Sequence, residues 1–225
     1  MDKIRAIFTI FHMVITVTIA IIVMYLFKSS IHKVRVLWAK MQLKLLGIRL
    51  EVKGSESKEA DMLLINHQSI LDIVVLESLS YRNLAWVAKK EIGDIPWFGQ
   101  ILKVPNMIMV ERESKSSLVK LIKDVKNRLD DGRKIAIFPE GTRTDGKKIR
   151  KFKAGSKIIA QKYNLTVQPV VIVGSIDVWD SKRFIQKSGV VKVIFLDPIK
   201  ADKSTSWYED CEEKMRKTLE EELKN

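Results

Sequence analysis

Residues 62–72 read MLLINHQSILD, and the fold turns on how this stretch is divided. Met62 to Ile65 are four apolar residues in a row, preceded by the polar run SESKEAD (55–61). So short a run, bounded by polar residues, reads as a strand buried on both faces. From Ser69 a helix is expected: Ser69 is a candidate cap, and Asp72 falls in the first turn, where its charge meets the positive end of the helix dipole. The same alternation repeats down the chain. LAWVA (84–88), NMIMV (106–110), KIAIF (134–138), TVQPVVIV (166–173) and VVKVIFL (190–196) read as further strands, and residues 69–78, 114–129 and 154–163 as helices between them. Together these predict an α/β fold, a mixed and largely parallel sheet flanked by helices. Residues 204–223 are highly charged and predict a solvated helix with Trp207, Met215 and Leu219 as its packing residues.

Sheets of this kind carry their chemistry in loops beyond the carboxyl ends of the strands. Two such loops stand out, NHQSILD (66–72) and PEGTRT (139–144). Inside one helix, positions 67 and 72 would point about 140° apart. With His67 in the entering loop and Asp72 in the first turn, the two side chains can meet. Asp72 then either serves the helix start alone or also fixes the tautomer of His67, whose other ring nitrogen would be free to act as a general base. His12 and His32 belong to the N-terminal segment, so His67 is the one imidazole open to a soluble site. The chain has no G-x-S-x-G elbow and no phosphate-binding P-loop, which argues against acyl-enzyme chemistry and nucleotide hydrolysis. In the second loop Pro139 sets a turn, Gly141 permits close approach, and Arg143 offers a planar fork to phosphate oxygens. Glu140 fits either as an acceptor for a ligand hydroxyl or as a partner for loop donors. The plain alternative for the whole segment is a tight surface turn.

Residues 6–27, AIFTIFHMVITVTIAIIVMYLF, hold no charged side chain. As a helix they would reach about 33 Å at 1.5 Å per residue, enough for a hydrocarbon core of about 30 Å. Residues 28–48 come next, with Ile31, Val34, Leu37, Met41, Leu45 and Leu46 at helical spacing and Lys33, Lys40 and Lys44 among them. That pattern suits a helix in the membrane interface with snorkelling lysines, or one packed on the soluble domain. The chain divides on this reading into membrane-anchoring helices over 1–53 and a soluble domain over 54–225. Net charge is +13, with +6 of it in residues 28–53, which favours the cytoplasmic side of a membrane for the soluble domain. No RNA-binding signature or zinc-finger spacing accompanies the charge, so nucleic acid is not an expected partner. Cys211 is the single cysteine, which excludes an intramolecular disulfide and a multi-cysteine metal site; no metal is expected.

In order along the chain, His67 with Asp72, then Arg112 closing NMIMVER, then FPEGTRT, then VQPVVIVG resemble the four motifs of the 1-acylglycerol-3-phosphate acyltransferases. The resemblance implies that a membrane-bound enzyme moves an acyl group from an acyl carrier protein or CoA thioester to lysophosphatidate, with no cofactor. It implies His67 as base and Asp72 as its orienter. Arg112, Glu140, Gly141, Thr142 and Arg143 are implied on the acceptor side, with Pro169 in the fourth motif and Lys89 near the site. Asn106 stands where the family commonly has glycine, and Met109 where it has an aromatic residue. A related enzyme with another lysolipid or glycerol 3-phosphate as acceptor, and a non-catalytic protein that binds anionic lipid, are the alternatives. The expected location is the cytoplasmic membrane, with the site on the cytoplasmic side. A second basic run, Lys147, Lys148, Arg150, Lys151, Lys153 and Lys157, would face anionic headgroups; the alternatives are a docking patch for an acidic carrier protein and a plain solvated helix start.

Overall fold

The computed structural model describes residues 2–111 and 115–224. Helix α1 (Asp2–Leu26) leads through a 3-10 turn (Lys28–Ser30) into α2 (Ile31–Leu45) and strand β1 (Ile48–Lys53). Then come β2 (Met62–Ile65), α3 (Leu71–Leu79), β3 (Leu84–Lys89), the short α4 (Lys90–Gly93) and α5 (Gln100–Lys103), and β4 (Ile108–Val110). Helix α6 (Lys115–Asp130), β5 (Lys134–Ile137), α7 (Ala154–Lys162) and β6 (Thr166–Val173) follow. The chain continues with α8 (Ser175–Val178), the small hairpin β7 (Trp179–Asp180) and β8 (Ile185–Gln186), then β9 (Gly189–Phe195), β10 (Ile199–Lys200) and α9 (Trp207–Lys224).

The main sheet runs β1-β9-β6-β2-β5-β3-β4, with β10 also on β6. Its pairs are parallel except β6 with β9 and β6 with β10. The expected strands are all present, and their continuous apolar runs are explained by helices on both faces. Side chains alternate across a strand. Met62 and Leu64 therefore enter a core shared with α6, α7 and α9, while Leu63 and Ile65 enter one shared with α2 and α3. Pro169 lies in β6 where pairing passes from β10, at Val167, to β9, at Val170, the kind of break in the ladder that a residue without N–H requires.

Two readings change. Strand β1 pairs with β9 over six residues, so the sheet already begins within the segment assigned to the N-terminal helices. Helix α9 is solvated on one side only: Trp207, Tyr208, Cys211, Met215 and Leu219 are buried against the sheet. The spacing of four between 207, 211, 215 and 219 makes one stripe, and its charged residues occupy the rest of the surface.

Helix α1 is docked along its length. Arg5 donates to Ser188 Oγ at 2.7 Å near one end, and Tyr25 donates to Gln100 Oε1 at 2.7 Å near the other. Val17, Ile21 and Met24 pack against Trp38, Phe98 and Ile101. The opposite face is bare: Ile7, Phe8, Phe11, Val14 and Ile22 are exposed. Helix α2 divides its expected stripe. Of that stripe Leu46 joins the core, together with Ala39 and Leu43, Ile31 and Val34 meet α1, and Leu37, Met41 and Leu45 remain exposed beside Lys33, Lys40 and Lys44.

Candidate active site

Strands β2, β3 and β5 are parallel, so their carboxyl ends open on one edge of the sheet. His67 lies two residues beyond β2 and Asp72 in the first turn of α3. His67 Nδ1 stands 2.8 Å from Asp72 Oδ2. A carboxylate only accepts, so the ring proton sits on Nδ1 and Nε2 keeps its lone pair. Asp72 is fully buried, and its oxygens are engaged: Oδ2 also accepts from the backbone N–H of Gln68 at 2.7 Å and of Ser69 at 2.9 Å, and Oδ1 accepts from Ser175 Oγ. Helix start and histidine partner are thus the same carboxylate. Ser69 donates to Trp179 O at 2.6 Å and accepts from Leu71 N at 3.3 Å.

The imidazole lies flat on Phe138, with centroids 3.8 Å apart and planes 13° from parallel; Phe138 in turn stacks on Trp86. The loop itself is anchored to β6 by Asn66, whose side chain exchanges two hydrogen bonds with Ile172, and by Gln68, which donates to Ile172 O.

The second loop grips the first. Glu140 Oε1 accepts from His67 N at 2.8 Å, its Oε2 accepts from Arg150 N at 2.7 Å, and Thr144 N donates to His67 O at 2.8 Å. Both backbone groups of His67 are therefore held by the FPEGTRT loop. Of the two roles open to Glu140, the partner of loop donors is the one this geometry has. Burial pushes its pKa up to about 7, opposed by the two backbone donors. Gly141 has φ +69, a conformation that favours glycine, while a Cβ there would meet only the flexible end of Lys153, at 3.0 Å. Thr142 and Arg143 are exposed, and Arg143 Nη1 donates to Ser181 Oγ at 2.9 Å.

Lys89 is exposed at the carboxyl end of β3, and its neighbour Lys90 faces Glu111 at 3.7 Å. Asn106 adopts φ +55, a conformation that asparagine tolerates better than most residues in the place of glycine. Arg112 lies outside the described residues. Among the described residues no three His, Cys, Asp or Glu side chains are grouped as metal ligands would be. A cavity of about 580 Å³ opens beside the two loops, with Gln68, Ser69, Arg143 and Thr144 on one side and residues of the β7–β8 hairpin on the other.

Phe138 and Ser175 escaped the sequence reading. Phe138 stands directly before PEGTRT and was legible there; Ser175 carries no local signal, because only the pairing of β6 beside β2 brings it to Asp72.

An acyltransferase family model matches residues 49–173. The chain is 42% identical over 175 residues to the 1-acyl-sn-glycerol-3-phosphate acyltransferase of Helicobacter pylori, covering 77% of this chain and 74% of that one. It is 35% identical over 113 residues to a lyso-ornithine lipid O-acyltransferase of Rhizobium meliloti, covering 50% of this chain and 38% of that one. The crystal structure of PlsC from Thermotoga maritima, a 1-acyl-sn-glycerophosphate acyltransferase, superposes with a TM-score of 0.73 at 23% identity, over 100% of this chain and 98% of that one.

Proposed function

This chain belongs to the acyltransferase family, and from that premise we propose that it is a 1-acyl-sn-glycerol-3-phosphate acyltransferase, which makes phosphatidic acid from lysophosphatidate and an acyl thioester. His67 Nε2 takes the proton of the sn-2 hydroxyl as that oxygen attacks the thioester carbonyl. The C–S bond then breaks, and the leaving thiolate recovers the proton from His67, so the products are ester and free thiol and no acyl-enzyme forms. Asp72 keeps the ring in the reactive tautomer and stabilises the imidazolium while it lasts. Arg143, with Arg112, holds the acceptor phosphate and so places the hydroxyl, which contributes orientation rather than proton transfer. Glu140 and Thr144 act through the backbone of His67. The thioester, of CoA or of an acyl carrier protein, is a co-substrate, and the reaction as written uses no cofactor.

The observation that carries this reading is the 2.8 Å contact of His67 with Asp72 in a loop that the FPEGTRT segment holds at both backbone groups of His67. The loop that carries Arg143 is thereby tied to the loop that carries His67. The lyso-ornithine relative raises a second acceptor class. Seven basic side chains against three carboxylates around the cavity favour a phosphomonoester over a zwitterionic headgroup.

Helix α1 is apolar over Arg5–Leu26 and, being docked end to end, lies along the body of the protein. This supports a helix embedded in the cytoplasmic leaflet, its bare face toward acyl chains and the lysines of α2 at the headgroups. The test is an acceptor panel: the purified chain with acyl-CoA and with acyl carrier protein thioesters, given lysophosphatidate, glycerol 3-phosphate and lyso-ornithine lipid. Phosphatidate as the preferred product is expected; preference for another acceptor would overturn the assignment.

A further inference from the structure

The family match ends at residue 173, yet the cavity beside the two loops is closed by residues that lie beyond it. The β7–β8 hairpin puts Ser181, Lys182 and Arg183 at its tip, facing Arg143 across about 580 Å³. The two walls are joined, because Arg143 Nη1 donates to Ser181 Oγ at 2.9 Å. That bond fixes one arm of the guanidinium that the mechanism assigns to the acceptor phosphate. The tip is also shaped internally: the backbone N–H groups of Lys182 and Arg183 both donate to Asp180 Oδ1, at 2.9 and 3.1 Å. Asp180 Oδ2 stands 3.6 Å from Arg183 Nε, a loose pair that offsets part of one charge. Among the described residues no carboxylate pairs with the amino groups of Lys147, Lys148 or Lys182, which line the same space. A cavity so charged, with Asp145, Asp177 and Asp180 as its acidic lining, favours a small multivalent anion.

We propose that Ser181, Lys182 and Arg183 form the second wall of the acceptor-phosphate site, so that the β7–β8 hairpin selects phosphomonoester acceptors over uncharged or zwitterionic ones. This rests on the acyltransferase reading above. In it Ser181 is a positioning residue that sets the angle of Arg143, while Lys182 and Arg183 meet the phosphate oxygens. The hairpin also stands at the N-terminal end of α1, where Thr9 donates to Gln186 Oε1 and Arg5 reaches Ser188. An acceptor entering from the leaflet beside α1 would therefore pass its headgroup to the hairpin.

The test compares the full-length parent with Lys182→Ala/Arg183→Ala and with Ser181→Ala, all at exposed positions. Kinetics are measured in mixed micelles with lysophosphatidate and with monoacylglycerol, and binding to phosphatidylglycerol vesicles is followed separately. The double variant is expected to raise KM for lysophosphatidate at least tenfold, to leave kcat within about twofold, and to leave monoacylglycerol turnover and vesicle binding unchanged. Ser181→Ala is expected to give a smaller rise in the same KM. An unchanged KM overturns the proposal, and so does an equal loss on both acceptors that tracks weakened vesicle binding, since the hairpin would then be a membrane contact. Should the parent fail to acylate lysophosphatidate, the acyltransferase assignment falls, and the hairpin is judged on glycerol 3-phosphate binding alone. Weaker binding to the double variant supports it, and equal binding overturns it.

Discussion

Asp72 Oδ2 accepts a hydrogen bond from His67 Nδ1 at 2.8 Å while it also accepts from the N–H groups of Gln68 and Ser69 in the turn that leads into α3. One buried carboxylate therefore ties the orientation of the imidazole to the turn that enters α3. Asp72→Asn can keep a carbonyl oxygen toward His67, Gln68 and Ser69 and turn its amide toward Ser175 Oγ, so what it removes is the negative charge beside the imidazole. A fall in kcat of roughly 10²- to 10⁴-fold is expected, with a measurable loss of thermal stability. Ser175→Ala removes the neutral contact on Oδ1 and should cost about 1 kcal/mol in stability, checked by urea unfolding.

Phe138 holds the imidazole by stacking at 3.8 Å. Phe138→Leu keeps an apolar side chain but removes the flat surface, and about 0.5–1.5 kcal/mol of ring contact goes with it. The expected result is a fall of roughly tenfold in kcat, with KM for the acceptor little changed. A rise in KM alone would mean that Phe138 lines the acceptor site instead.

Glu140 titrates near 7 because it is buried. Between the ordinary value of 4.5 and about 7 the folded chain holds more protons than the unfolded one, so the stability contributed by Glu140 falls as pH rises through that window. Glu140→Gln does not titrate. The Tm difference, parent minus variant, should therefore decline from pH 5 to 7.5 and level off above. A difference that is constant with pH would contradict the assignment.

Phe8 and Phe11 lie on the bare face of α1. Phe8→Glu with Phe11→Glu should abolish flotation with anionic vesicles and leave unfolding of the soluble sheet unchanged, because neither ring is part of the packed core. Retained flotation would mean that α1 does not seat the protein on lipid.

Helix α9 contributes to the core through a buried stripe. Leu219→Ala leaves a cavity against the sheet and is expected to cost about 2–5 kcal/mol in urea unfolding. A cost below about 0.5 kcal/mol, usual for a surface position, would return α9 to a solvated helix.

The strands were legible because helices cover both faces of this sheet, which leaves runs such as MLLI and VVIV without polar interruption. Strand β1 was hidden for the opposite reason. At the edge of the sheet, IRLEVK exposes charged residues and comes after a helix of similar composition. Helix α9 misled because Cys211, a small apolar residue, completes a stripe that Trp207, Met215 and Leu219 only outline. In the site, His67 and Asp72 were close in sequence and their contact followed from local geometry. Glu140 and Thr144 are more than seventy residues from His67, and their grip on it is a property of neighbouring strands β2 and β5. The hairpin tip offered only a cationic pair, SKRF, whose place opposite Arg143 depends on the connection between β6 and β9.

The central claim is that His67 is the general base of acyl transfer to lysophosphatidate. Its most direct test is kcat for phosphatidate formation by His67→Ala, in a preparation shown by circular dichroism and vesicle binding to be folded and seated. A fall of about 10²- to 10⁴-fold is expected. A rate equal to that of the parent would contradict the account.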